Sequence, residues 1–179
     1  MIKEKLSRLY AAERNRIAAI EDDRGDYQNP VFGEGPINPR VMFIGEAPGG
    51  EEAATGRPFV GKAGKQLDEL LIKAGIDRSR VYVTNAVKFR PVNRKTRSVS
   101  NRTPSAAELK GGLPLLGAEI ELLRPAVIVT LGNTPLKAVS AIAGMDKLTV
   151  GDAHGRPIPI SINGYSCTLV PQYHPASVI

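Results

Sequence analysis

The chain has 179 residues, 42% of them hydrophobic and 23% charged, which is a one-domain length and rules out a disordered chain. Its 24 lysines and arginines against 18 acidic residues leave a net charge of +6, a balance that favours polyanionic partners. A single cysteine, Cys167, excludes a disulfide framework and an all-cysteine zinc or iron–sulfur site, and no apolar run is long enough to span a membrane.

In chain order, Leu6, Leu9, Ile17 and Ile20 stand among charges at helical spacing, so residues 1–20 are expected to be helical and not a signal peptide. Gly33 to Pro39 reads as loop. Val41–Gly45 is expected to be a short buried strand running into the turn-rich Glu46-Ala47-Pro48-Gly49-Gly50. Residues 62–74 read as a helix with Leu67, Leu70, Leu71 and Ala74 on one face, and residues 81–85 as a second buried strand. The run from Lys88 to Arg102 reads as loop, and residues 105–123 as a helix weakened in its middle by Gly111, Gly112 and Pro114. A third strand is expected over 126–132, a short helix over 134–143, and a fourth strand over 167–170. Apolar strands alternating with helices predict parallel βαβ units in one domain, residues 1–179, with both sheet faces covered. Ligands bind beyond the carboxyl ends of such strands. Glu46 to Gly50, Asn85, Asn133 and His174 are therefore expected along one edge.

Four segments there could carry chemistry. Gly45 to Gly50 can bring backbone N–H groups close to a ligand, or can be a plain strand-to-helix connection. Gly56-Arg57-Pro58-Phe59-Val60-Gly61-Lys62-Ala63 approaches a phosphate-binding loop. However, Ala63 replaces the magnesium-binding hydroxyl, Pro58 removes an amide donor, and no strand precedes it directly. Phe59 in this loop is either core or a rigid face for stacking a base. Lys88, Arg90, Arg94, Lys95, Arg97 and Arg102 form a one-signed basic run beside the expected site, either a phosphate-binding surface or a solvated face. Asn85 offers one acceptor and one donor on a single plane, the complement of uracil N3–H and O4; the other reading is a buried asparagine bonded to backbone. His174 follows the last strand, and His154, in a loop or hairpin, is expected to be structural. Two histidines and one cysteine, far apart, make no metal site.

Gly45-Glu46-Ala47-Pro48-Gly49, then Gly56 to Gly64, then Thr84-Asn85-Ala86-Val87-Lys88, then His174-Pro175-Ala176-Ser177 resemble, in order, the uracil-DNA glycosylase superfamily, and most closely its family 4 type. The resemblance runs from about Val31 to Ile179. It implies a three-layer α/β/α sandwich around a four-stranded parallel sheet, and hydrolysis of the N-glycosidic bond of uracil in DNA. It also implies roles: the loop at Gly45, Glu46 and Ala47 lies against the flipped uracil, Phe59 stacks on it, Asn85 reads it, and His174 points at O2. Glu52 stands at a commonly acidic position and could place a water. Family 4 enzymes hold a four-iron, four-sulfur cluster on four cysteines; the matching positions here include Phe89 and Gly112, so no cofactor and no metal are expected. An aspartate that activates water in other branches is Ala47 here, which leaves the general base open. The family continues with a helix after the His-Pro motif. The expectation is a cytoplasmic, monomeric DNA repair enzyme acting on uracil-containing DNA, with no membrane association. A non-catalytic binder of uracil-DNA, a glycosylase for another deaminated base such as hypoxanthine, and a P-loop-like nucleotide binder are the alternatives.

Overall fold

The computed structural model describes residues 1–177. The chain opens with α1 (Ile2–Ala18) and a two-residue strand β1 (Gly25–Asp26). Next come β2 (Val41–Gly45), the short α2 (Gly50–Thr55), α3 (Lys62–Lys73) and β3 (Tyr82–Asn85). A hairpin follows, β4 (Arg90–Lys95) and β5 (Ser98–Asn101), then α4 (Ala106–Leu123), β6 (Val127–Leu131) and α5 (Asn133–Ile142). The short α6 (Val150–Ala153) leads into β7 (Ile158–Ile162) and β8 (Tyr165–Gln172).

The main sheet has five strands in the order β3-β2-β6-β8-β7. The first four are mutually parallel, and β7 joins antiparallel to β8. The four expected strands are therefore present, but the four-stranded sheet of the expectation gains an antiparallel edge. Ile158-Pro159-Ile160-Ser161-Ile162 alternates inward and outward, and Pro159 is tolerated because the strand lies at the edge. Asn163 and Gly164 both take positive φ (47° and 80°), the two-residue turn that suits a right-twisted hairpin. That Asn-Gly pair was the readable signal for β7.

Alternation along β2 divides the core. Met42 and Ile44 pack with Leu6 and Ile17 of α1, Leu116 and Ile120 of α4, and Leu136 and Val139 of α5. Phe43 packs on the other side with Phe59, Val83, and Leu67 and Leu71 of α3. Helices thus cover both faces, which is why the central strands are apolar throughout.

The Lys88–Arg102 segment is not a loop. β4 pairs with β5 across a Thr96-Arg97 turn, and with β1 on its other side. β5 is exposed along its whole length, so hydrophobic periodicity had little to register. The middle of α4 survives its glycines and Pro114 for a packing reason: a Cβ on Gly112 would stand 2.4 Å from the Ala86 carbonyl oxygen. Only glycine lets α4 approach the backbone just past β3 this closely. Ser105 and Glu108 start the helix with a reciprocal capping box.

Candidate active site

The order β3-β2-β6 puts a switch point beside β2, where the chain leaves in one direction for β3 and returns on the other side for β6. Past the carboxyl ends of these strands lies a small pocket of about 50 Å³, lined by Glu46, Ala47, Glu52, Phe59, Ala63, Gly64, Asn85 and His174. That is room for roughly four waters, the scale of one pyrimidine ring. The pocket opens into a groove of about 460 Å³ bordered by Pro48, Gly50, Lys62, Asn101 and Ala176.

Parallel register sets Gly45 beside Asn85 at the strand ends, although Gly45 itself does not line the pocket. A Cβ on Gly45 would lie 2.5 Å from both Asn85 Oδ1 and Phe59 Cζ, so the glycine makes room for the two side chains to meet. Asn85 is 4% exposed, yet its carboxamide makes no hydrogen bond to any described residue. The carboxamide lines the pocket, so its donor and acceptor are open to a ligand there.

Phe59 is buried and takes φ +54°. A bulky residue in the left-handed region costs about 1–3 kcal/mol and persists only where its surroundings impose it. Glu52 supplies one constraint. Its carboxylate accepts from Gly49 N–H at 3.0 Å, Val60 N–H at 3.1 Å and Gly61 N–H at 2.6 Å, tying the loop after β2 to the loop carrying Phe59. The Gly56–Lys62 loop is consequently no phosphate cradle. It follows a helix, and two of the amides a phosphate would need already serve Glu52.

His174 lies just past β8, and its Nδ1 accepts from Ala176 N–H at 3.1 Å. Nε2 therefore carries the proton of the neutral imidazole. Burial lowers the His174 pKa from its ordinary value, and the Glu46 carboxylate pulls it partly back. Glu46 is held by Thr134, whose hydroxyl donates to Oε2 at 2.5 Å. Ala47 contributes a methyl and backbone only. Asn133 points elsewhere, accepting from Val150 N–H at 2.8 Å. His154 packs against Tyr173 with the rings tilted by 40° and does not line the pocket.

Two basic residues expected to meet DNA do not fit that role. Lys88 is 1% exposed and pairs with the buried Glu119; its Nζ also donates to Thr84 Oγ1 at 2.7 Å and the Asn85 carbonyl at 2.5 Å. Arg102 spends all five donors inside the protein, on both oxygens of Glu108 and the carbonyls of Val92, Thr103 and Arg24. Arg90 is half-buried and donates to Asn101 Oδ1 at 2.6 Å. Arg94, Lys95 and Arg97 are exposed around the hairpin turn. Charge alone could not separate these cases. Packing did, because Lys88 is sealed against Glu119 of α4, while Arg102, half-buried at the wall of the groove, is paired with Glu108.

The residues do not fit an iron–sulfur cluster. Phe89 is 2% exposed and packs edge-to-face on Tyr27 at 5.0 Å, and Gly112 is pressed against the Ala86 carbonyl. Cys167, on β8, is buried and lies apart from both. Among the described residues no group of three or more His, Cys, Asp or Glu could hold a metal ion.

A small pocket thus lies at the switch point of a parallel sheet, walled by the Phe59 ring and the Asn85 carboxamide. Residues 32–179 match the family described as the uracil DNA glycosylase superfamily. The chain is 41% identical over 152 residues to a type-4 uracil-DNA glycosylase of Pyrobaculum aerophilum, covering 85% of this chain and 74% of the relative. It is 42% identical over 151 residues to a type-4 uracil-DNA glycosylase of Thermotoga maritima, covering 84% and 72%. A type-5 uracil-DNA glycosylase of Pyrobaculum aerophilum is 32% identical over 164 residues, covering 82% and 66%. The chain belongs to the uracil DNA glycosylase superfamily, on its type-4 side.

Proposed function

We propose that the chain is a DNA repair glycosylase that hydrolyses the N-glycosidic bond of uracil in DNA. The observation that carries this is the convergence of Phe59, the unbonded Asn85 carboxamide and the His174 Nε2–H on one single-ring pocket. The type-4 relatives support the same reading. Uracil leaves the base stack and enters the pocket, at a cost of a few kcal/mol that is lowest for mismatched or single-stranded sites. Phe59 stacks on the ring, and the loop at Gly45, Glu46 and Ala47 closes over its edge. Asn85 Oδ1 accepts from N3–H and Nδ2 donates to O4. As the C1′–N1 bond breaks, its electron pair moves onto uracil N1 and O2, where the His174 Nε2–H stabilises the charge. Water adds its oxygen to C1′ and gives up a proton, which neutralises the uracil anion so that free uracil leaves. Glu46, whose charge acts on His174, is the group we assign to orienting that water, and Glu52 the one that holds the two loops together. All these groups come from one chain, and we read the protein as a single domain, a three-layer α/β/α sandwich, acting as a cytoplasmic monomer. No described helix is long and apolar enough to cross a membrane.

The test is cleavage of single- and double-stranded oligonucleotides carrying uracil, hypoxanthine or xanthine, in EDTA. Uracil should be released and the larger purines spared. Tight binding of uracil-DNA without release would instead make the chain a non-catalytic binder. Asn85→Asp exchanges the Nδ2 donor for an acceptor, so release of uracil should fall steeply while some release of cytosine, whose C4 amino group is a donor, appears. Wild-type uracil release by this variant would remove Asn85 from base reading.

In this reading the hairpin grips the DNA backbone. Neutralising Arg94, Lys95 and Arg97 together should weaken binding to all sequences alike. It should also flatten the salt dependence, by about 0.9 in log–log slope for each phosphate that no longer has a cationic partner. An unchanged slope would reduce the hairpin tip to a solvated face.

A further inference from the structure

We propose that Arg78 is a positioning residue for this reaction, holding Phe59 from outside the pocket in the left-handed conformation that presents its ring. The proposal rests on the functional reading above. Arg78 begins a short 3-10 turn (Arg78–Arg80) on the far side of Phe59 from the pocket. Its Nη1 donates to the Phe59 carbonyl at 3.0 Å and to Asp68 Oδ1 at 2.5 Å, while Nη2 donates to the Pro58 carbonyl at 3.0 Å. The guanidinium lies in a second groove lined also by Glu34, Arg57, Lys65 and Ser79, and Phe59 forms part of the wall of both groove and pocket.

The loop is therefore gripped from two sides by opposite chemistry. Glu52 takes the N–H groups of Val60 and Gly61, and Arg78 takes the carbonyls just before them. Gly64 completes the seat, since a Cβ there would stand 2.0 Å from the Phe59 carbonyl oxygen. Loss of the fork leaves those two carbonyls to water and lets Phe59 relax to negative φ, which swings the ring out of its stacking plane. A lysine keeps the charge beside Asp68 but cannot span two carbonyls as a planar fork does. The Arg78–Asp68 pair is itself solvent-exposed, with 26% and 45% of the side chains open, so its contribution to overall stability is small.

A double-mutant cycle tests this. Phe59→Gly removes the ring and takes positive φ without strain. Arg78→Lys should lower single-turnover release of uracil about tenfold in the Phe59 protein, and cause no further loss in the Phe59→Gly background. Equal losses in both backgrounds would overturn the proposal. Amide hydrogen exchange gives a readout that does not need activity: Val60 and Gly61 should exchange faster in Arg78→Lys while the melting temperature holds. Unchanged exchange at those two amides would also overturn it. If the wild-type protein releases no uracil, the functional reading falls, and the exchange measurement alone decides whether Arg78 holds the loop.

Discussion

Replacing His174 with alanine should slow single-turnover release of uracil by about 10²–10³-fold and leave the choice of base unchanged. In the proposed mechanism the imidazole supplies one hydrogen bond to an oxygen that becomes charged only as the glycosidic bond breaks, so its loss should fall on the chemical step and not on binding. The donor is Nε2–H of a neutral ring, because Ala176 N–H occupies Nδ1 and burial lowers the pKa. The His174-dependent rate should therefore hold as pH rises from 7 to 9. A rate that instead falls as pH rises through the lowered His174 pKa, below the ordinary histidine value, would mean that the imidazolium does the work. Stability carries the matching sign. A folded-state pKa below the unfolded one means the unfolded chain binds the extra proton first, so stability is lost as pH falls below about 6.5. His174→Ala should remove that part of the acid sensitivity. If the variant changes affinity alone, with the chemical step intact, His174 is a binding residue.

Lys88→Met should destabilise the protein by about 3–5 kcal/mol, the cost of leaving a buried charge without its partner. For a chain of this length the melting temperature should drop on the order of 10 °C. The partner left behind is Glu119, fully buried on α4, which also accepts from the hydroxyls of Thr84 at 3.0 Å and Tyr10 at 2.6 Å. Burial, followed by the charge of Glu119, raises the Tyr10 pKa far above its ordinary value, so that phenol remains a donor. One carboxylate thus gathers α1, β3 and the segment just after β3 into a single network. The double variant Lys88→Met, Glu119→Gln should recover much of the loss, since an amide can still accept from the hydroxyls without a stranded charge. Wild-type stability in the single variant would show that water reaches Glu119. Uracil release by the double variant measures something different. The Asn85 carbonyl has lost the Lys88 donor there, and a lower rate at restored stability would show that the network also steadies the base reader.

The residues on the pocket edge were legible because local sequence determined them. A β-rich apolar run followed by a polar or glycine-rich break places Glu46, Asn85 and His174 at strand ends whatever the rest of the chain does. The parallel sheet rule then brings those ends together. The proposed roles of Asn85 as a reader and Phe59 as a stacking ring rest on side-chain chemistry plus the motif order. β7 was missed although its alternation and Asn163-Gly164 turn were in plain view, because a short edge strand carries a weaker apolar signal than the central ones. The β4–β5 hairpin had almost no such signal to give. What only the tertiary structure decided was the partner of each charged group. Lys88, Arg94 and Arg102 are equivalent in a string of letters, yet one is sealed against Glu119, one is exposed near the hairpin turn while donating to the Asp23 and Gly25 carbonyls, and one is spent on Glu108 and three carbonyls. The same holds for Glu52, whose oxygens answer backbone donors up to nine residues away, and for Arg78, which reaches back twenty residues to the loop it grips. Composition and spacing record which groups exist, and burial and long-range pairing, set by how α3 and α4 pack on the sheet, decide which remain free to meet a ligand.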